Sequence, residues 1–177
     1  RDISDRKQHE NELQAIAMLS SALRTAPGRK DMLPVIVEQI VNLLDCDSAT
    51  IEIIEPTTGD VVVEAAHGLW EPLIGTRQKE GTGINAIIAA TRQPYLTQNL
   101  EKDPGIFYHQ WARFGIRGSA GVPLIAQEQL IGFIWVGRRS DISQNEVRLL
   151  GAITDIAANA IYRATLHEQT QNDASEL

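Results

Sequence analysis

Apolar residues along the chain change period several times, and each change marks an element. From Gln8 to Thr25 they recur at helical spacing, with Leu13, Ile16, Ala17, Ser20 and Leu23 on one stripe and polar residues opposite. Ala26-Pro27-Gly28 interrupts the pattern. A second helix is predicted from about Asp31 to Leu44, with Asp31 as N-cap and Pro34 in the first turn, where its missing N–H costs little. Leu33, Ile36, Val37, Ile40, Val41 and Leu44 form its apolar face, and Asp45-Cys46-Asp47 ends it. The period then shortens to two. Ser48–Glu55 and Asp60–His67 read as a hairpin turning at Pro56-Thr57-Thr58-Gly59. Leu69–Lys79 is irregular. Gly81–Ala90 opens on G-T-G and continues as a short apolar helix, Tyr95–Thr97 is a short strand, and Asn99–Arg113 is expected to be a loop with a short helix carrying Phe107, Tyr108, His109 and Trp111.

The clearest signal is the stretch Gly115–Arg139. Two apolar runs, Ser119–Ala126 and Leu130–Gly137, flank the polar loop Gln127-Glu128-Gln129 and predict an antiparallel hairpin. The second run is apolar on both parities. Ile131, Phe133 and Trp135 occupy one face, and Leu130, Ile134 and Val136 the other. A strand with no wet face belongs in the centre of a sheet covered on both sides. Gly132 and Gly137 permit close approach to its backbone. A long helix follows. Ser143-Gln144-Asn145-Glu146 is a capping box, and Val147, Leu150, Ile153, Thr154, Ala157, Ala160, Ile161 and Ala164 line a stripe running to about Leu166. The polar tail from Glu168 is expected to fray.

Composition narrows the partners. A chain of 177 residues, 43% of them hydrophobic, suits one domain with extensions. A net charge of -7 with interspersed signs argues against nucleic acid or an anionic membrane. A single Cys provides no disulfide framework and suits a reducing cytoplasm, the expected location. No apolar run approaches the ~20 residues needed to span a bilayer. The chain opens at Arg1 in mid-pattern, which suggests a segment of a longer protein.

Several motifs carry a family resemblance. Gly115-Ile116-Arg117-Gly118, Val122-Pro123-Leu124, Ile131-Gly132-Phe133, and Ile142-Ser143-Gln144-Asn145-Glu146 with Leu149-Leu150 are together similar to the GAF domain. Upstream, Glu80-Gly81-Thr82-Gly83-Ile84 and Thr91-Arg92-Gln93-Pro94 fit the same pattern. The resemblance covers residues 11–166. It implies an α+β fold in α/β/α layers: a GAF/PAS-like central antiparallel sheet of about six strands, terminal helices on one face and a lidded ligand pocket on the other. Residues 1–10, reading RDISDRKQ at their start, resemble the end of a PAS module leading into a linker helix, and residues 167–177 are expected to begin a linker to an output domain. The resemblance implies a regulatory small-molecule sensor, itself no enzyme, in a bacterial-type signalling protein. The expected output is a histidine kinase of a two-component system, or alternatively a GGDEF-type diguanylate cyclase. Homodimerisation through the terminal helices is expected. The rival expectation is a ligand-free dimerisation and relay module.

Candidate chemistry is sparse. No H-E-x-x-H, G-x-S-x-G or Walker A motif is present, and a lone G-x-G without its third glycine is weak. Free N–H groups at that helix start would still favour an anionic ligand group. His67, His109, Cys46 and His167 are scattered, so no metal is expected. The bilin-binding members hold pigment through a Cys near the segment Gly105-Ile106-Phe107-Tyr108-His109, which has none, and this argues against a covalent bilin. The cyclic-nucleotide signature is met only by Asn145-Glu146, without its Asn-Lys pair, which argues against that ligand. A reductase acting on oxidised Met would need lid cysteines, and none is present. The ligand is left unassigned. By resemblance the pocket would be lined by His67, Trp70, Gly81, Thr82, His109, Trp111, Arg113, Arg117 and Trp135. Its aromatics and Arg suit a planar or anionic ligand. The plainer reading makes Trp111 and Trp135 core residues and pairs Arg117 locally.

Overall fold

A computed structural model describes residues 2–105 and 109–175, with all side chains in that range except those of Asp2, His109, Gln110 and Arg113. The helices are α1 (Asp2–Arg24), α2 (Arg29–Leu44), α3 (Gly83–Thr91) and α4 (Gln144–Ser175). The strands are β1 (Ser48–Ile54), β2 (Val61–Gly68), β3 (Arg77–Gln78), β4 (Tyr95–Thr97), β5 (Gly118–Ala126) and β6 (Gln129–Arg138). Short 3-10 helices occupy Glu71–Leu73, Leu100–Lys102 and His109–Gly115.

One antiparallel sheet runs in the order β3-β2-β1-β6-β5-β4. Its two hairpins join through β1 and β6, so the doubly apolar strand lies at the centre, as its residue pattern requires. Ala49, Ile51, Ala120, Val122, Leu124, Ile134 and Val136 face α1, α2 and α4 and form the larger core. Val61, Phe133 and Trp135 face the opposite side and pack with Trp70, Leu73, Ile84, Ile88, Leu100 and Ile116. Topology accounts for this second layer. β3 and β4 are the two edges of the sheet, so the chain between them must cross a face, and it carries α3 across as a cover.

Several expectations shift locally. α1 begins at Asp2 rather than Gln8, and its buried line is Ala15, Leu19 and Leu23. Ala17 is exposed and Leu13 is 53% exposed, because they lie on the flank of the stripe that no other element reaches. α2 begins at Arg29 with Gly28 as N-cap, so Asp31 lies in the first turn and Pro34 inside the helix. Pro34 and Lys30, whose carbonyl it leaves without a donor, are both at the surface, where solvent replaces the bond. The first turn of α2 gains its acceptor from elsewhere: the Arg29 N–H donates to Glu168 Oε1 at 3.0 Å. Glu168 can do so because α4 stays helical through Ser175 instead of fraying.

In β6 a bulge opposite Leu124/Ile125 exchanges the faces of Leu130 and Ile131. The hairpin turn is tighter than expected. Ala126 pairs with Gln129, leaving Gln127 and Glu128 in the left-handed region at φ 52 and 65, the backbone of a two-residue turn matched to strand twist. The capping box forms as read: the Glu146 N–H donates to Ser143 Oγ at 3.1 Å, and the Ser143 N–H to Glu146 Oε1 at 3.0 Å. Among the described residues no helix is long and apolar enough to cross a membrane.

Candidate functional site

The alternation of β1 sends Thr50 and Glu52 to the lid side of the sheet, where neither reaches solvent. Glu52 is 3% exposed. α3 supplies its partner. Asn85 Nδ2 donates to Glu52 Oε1 at 2.7 Å and to Gln78 Oε1 at 3.0 Å. The central strand completes the chain, with Trp135 Nε1 donating to Asn85 Oδ1 at 2.8 Å. Three elements distant in sequence therefore meet in one buried polar relay of Glu52, Asn85 and Trp135.

Aromatic rings form the walls. Trp70 packs edge-to-face on Trp111, with ring centroids 5.1 Å apart, and its Nε1 donates to the Trp111 carbonyl at 3.0 Å. Tyr95 stands 6.5 Å from Trp135 and donates its hydroxyl to Asp103 Oδ2 at 2.7 Å. Desolvation, together with the carboxylate beside it, pushes the Tyr95 hydroxyl up to about 12. Two glycines make the room. A Cβ on Gly121 would lie 2.5 Å from the Trp135 ring, and one on Gly137 would lie 2.6 Å from the Trp70 ring. The close approach expected at Gly137 is thus a Trp approach, whereas Gly132 gives way to the β1 backbone at Glu52.

Between these walls lies a cavity of about 40 Å³, lined by Glu52, Trp70, Gln78, Gly83, Ile84, Asn85, Leu100, Gly105, Trp111, Ser119 and Trp135. A water needs roughly 10–15 Å³ of such space, so the cavity admits a few atoms of ligand without rearrangement. Burial pushes the Glu52 carboxyl up to about 7, and the hydrogen bond from Asn85 only partly offsets it. At neutral pH this group therefore exists in both protonation states.

The structure sorts the residues expected at the pocket. Trp70, Trp111 and Trp135 line the cavity together. Gly81 and Thr82 do not. Thr82 sits at the N-cap of α3 with its hydroxyl turned to the Lys79 carbonyl at 2.6 Å, and Gly83 takes the lining position instead. His67 lies at the end of β2 beside Glu71, 3.9 Å away and partly exposed. Arg117 is at the surface, paired with Asp141 at 2.6 Å. The side chains of His109 and Arg113, and all of Phe107 and Tyr108, lie outside the described residues. Cys46 is packed against the helix-side core with its thiol pushed up to about 11 by burial, and His167 contacts Gln171 on α4. Among the described residues no three His, Cys, Asp or Glu side chains converge on a metal position.

Glu52, Asn85, Gln78 and Ser119 were not anticipated. Glu52 left one trace: a carboxylate in a strand otherwise built of small, β-branched and hydroxyl residues. Asn85 left another, as the polar residue in an apolar helix.

Known proteins agree with this architecture. The GAF domain of a phosphoenolpyruvate-protein phosphotransferase from Coxiella burnetii superposes with a TM-score of 0.79 over 93% of this chain and 98% of its own, at 18% identity. The free methionine-R-sulfoxide reductase of Neisseria meningitidis, solved with its substrate, gives 0.75 over 88% and 91% at 13% identity. The blue-light-absorbing form of the PixJ GAF domain of Thermosynechococcus elongatus gives 0.65 over 83% and 91% at 18% identity. At these identities the likeness concerns the fold. No curated protein sequence matches the chain. The GAF domain family model matches residues 27–161, from the loop between α1 and α2 to just past the middle of α4, and the chain belongs to the GAF domain family.

Proposed function

We propose that this GAF domain is a regulatory small-molecule sensor that reports occupancy of the Glu52 cavity through its terminal helices. The observation that carries the reading is the placement of Trp135. Its indole lines the cavity and is tied to Asn85, while its neighbours Ile134 and Val136 pack on the helix side of the same strand. A displacement at the cavity thereby has a rigid route to the helical layer, and occupancy would bias one helix arrangement over another. The terminal helices would join two copies as a homodimer and connect this domain to a preceding PAS module, over residues 1–10, and to an output domain after residues 167–177. A histidine kinase of a two-component system is the favoured output, with a GGDEF-type diguanylate cyclase as the alternative, and the cytoplasm is the expected location.

A ligand-free dimerisation and relay module is the second reading. Two observations favour it: the small cavity, and the apolar side chains left exposed on α1 and α4, namely Ile3, Leu13, Met18 and Leu166. Native mass spectrometry with an absorbance scan of protein purified without refolding separates the two. A dimer carrying added mass supports the sensor. A dimer without an adduct shifts the reading to the relay, and a monomer removes the helix-bundle mechanism from both.

A further inference from the structure

We infer that the cavity recognises a small organic cation of the alkylammonium class, with the Glu52 carboxylate as its counter-ion and the three indoles as its walls. The inference rests on the sensing reading above and adds the ligand's chemistry. It comes from accounting for donors and acceptors around the cavity. Trp70 Nε1 is spent on the Trp111 carbonyl, and Trp135 Nε1 on Asn85 Oδ1. Both N–H bonds of the Asn85 amide are spent, on Glu52 and Gln78. The Ser119 hydroxyl donates to the Val136 carbonyl at 2.8 Å. Four of the six polar side chains other than Glu52 thus have their donors satisfied within the protein.

Acceptor capacity remains. A carboxylate accepts about four hydrogen bonds, and Asn85 supplies one of them to Glu52, while the adjacent buried Thr50 hydroxyl has no partner among the described residues. A ligand that completes this wall must donate. Aromatic walls add a preference of their own, because an ammonium over an indole face gains cation–π attraction that grows on desolvation. Charge points the same way. Glu52 is the one ionisable side chain among the described lining residues, and its cross-strand neighbours are Val63 and Phe133. From the other elements, α3 presents Asn85 and β3 presents Gln78, both neutral. No described cation neutralises the carboxylate, so a ligand cation fills that role. The donors left over are the Gln78 amide, the Trp111 indole N–H and the uncapped first-turn N–H groups of α3. They define the competing chemistry, a small anion.

All three tryptophans of the chain line the cavity, so intrinsic fluorescence reports on it directly. The test is a titration with methylammonium chloride against sodium chloride at equal ionic strength, on the wild type and on Glu52→Gln. A saturable emission change specific to methylammonium is expected. The Gln variant should weaken it at least about 30-fold, since truncating one side of a buried charge pair is costly. In the wild type alone, affinity should fall about tenfold from pH 8 to pH 6 as Glu52 protonates around 7. That measurement holds even if the variant fails to fold. Binding indifferent to Glu52→Gln and to pH overturns the inference. So does saturable binding of sodium formate or formamide with no response to methylammonium, although the cavity then remains a sensor site. No response to any of the three probes overturns the sensing reading as well.

Discussion

Glu52 is buried among neutral side chains, and its carboxyl titrates near 7 instead of the ordinary 4.5. A raised carboxyl pKa means that the folded state binds the proton more tightly than the unfolded state. The stabilisation it brings is complete below about pH 4.5 and is lost as pH rises through about 7. The full difference corresponds to about 3 kcal/mol. In urea denaturation, the wild type should lose up to that amount relative to Glu52→Gln between pH 4.5 and pH 8; parallel pH profiles would contradict a buried ionising group at this position. Gly121 is a second residue whose role is local. Gly121→Ala sets a Cβ 2.5 Å from the Trp135 ring, and a cost of about 1–3 kcal/mol is expected from overpacking. Equilibrium unfolding measures that cost, and a shift in tryptophan emission should accompany it. Neither effect was legible in the linear pattern. Glu52 reads as the polar partner in an alternating strand, and only α3 lying over it turns a solvent-type position into a buried one.

At the scale of elements, the ends of helices are joined by side chains from far away. Ser143 and Glu146 close the first turn of α4 by themselves, three residues apart, which is why the sequence reveals them. Arg138 then locks this cap to the sheet and to α2. It donates to Glu146 Oε1 at 3.0 Å, to the Asp141 carbonyl at 2.9 Å and to the Asp45 carbonyl at 3.2 Å, and it also reaches Glu146 Oε2 and the Leu44 carbonyl. Ser143→Ala should cost about 1 kcal/mol. Arg138→Ala should cost more, about 2–4 kcal/mol, because it strands a partly buried carboxylate and helix-end carbonyls together. Thermal unfolding of the two variants ranks them; equal losses would show that the Arg138 bonds add nothing beyond the cap. Glu168 serves α2 in the same way across 139 residues, a separation at which no local motif exists to read.

For the whole molecule, the question is what the terminal helices do with the apolar surface that the sheet does not bury. Ile3 is 81% exposed, Leu13 53% and Met18 47%. Exposed apolar side chains of this kind on a terminal helix favour a covering partner. Size-exclusion chromatography with light scattering should report a dimer at tens of micromolar. Leu13→Glu with Met18→Glu should convert it to a monomer with an unchanged unfolding midpoint, since neither residue belongs to the buried core. A wild-type monomer at that concentration would remove the dimeric relay.

The sequence alone determined the order and type of nearly every element, the central position of β6, the capping box and the family. These follow from local periodicity, turn chemistry and short-range pairing, which act within a few residues of chain. Tertiary structure decided the rest. It placed α3 across the sheet because β3 and β4 occupy opposite edges. It chose which flank of the α1 stripe to bury, exchanged Leu130 and Ile131 through a bulge, and joined Arg138 and Glu168 to helix ends distant in the chain. It also decided the site. Of the residues expected to line the pocket, the three tryptophans meet at the cavity, while Arg117 turns to Asp141 at the surface. The acidic residue at its centre became a buried, late-titrating group only through contacts made by strands and a helix up to about eighty residues away. Burial is a property of what packs over a residue, and the residue's own type and spacing do not contain it.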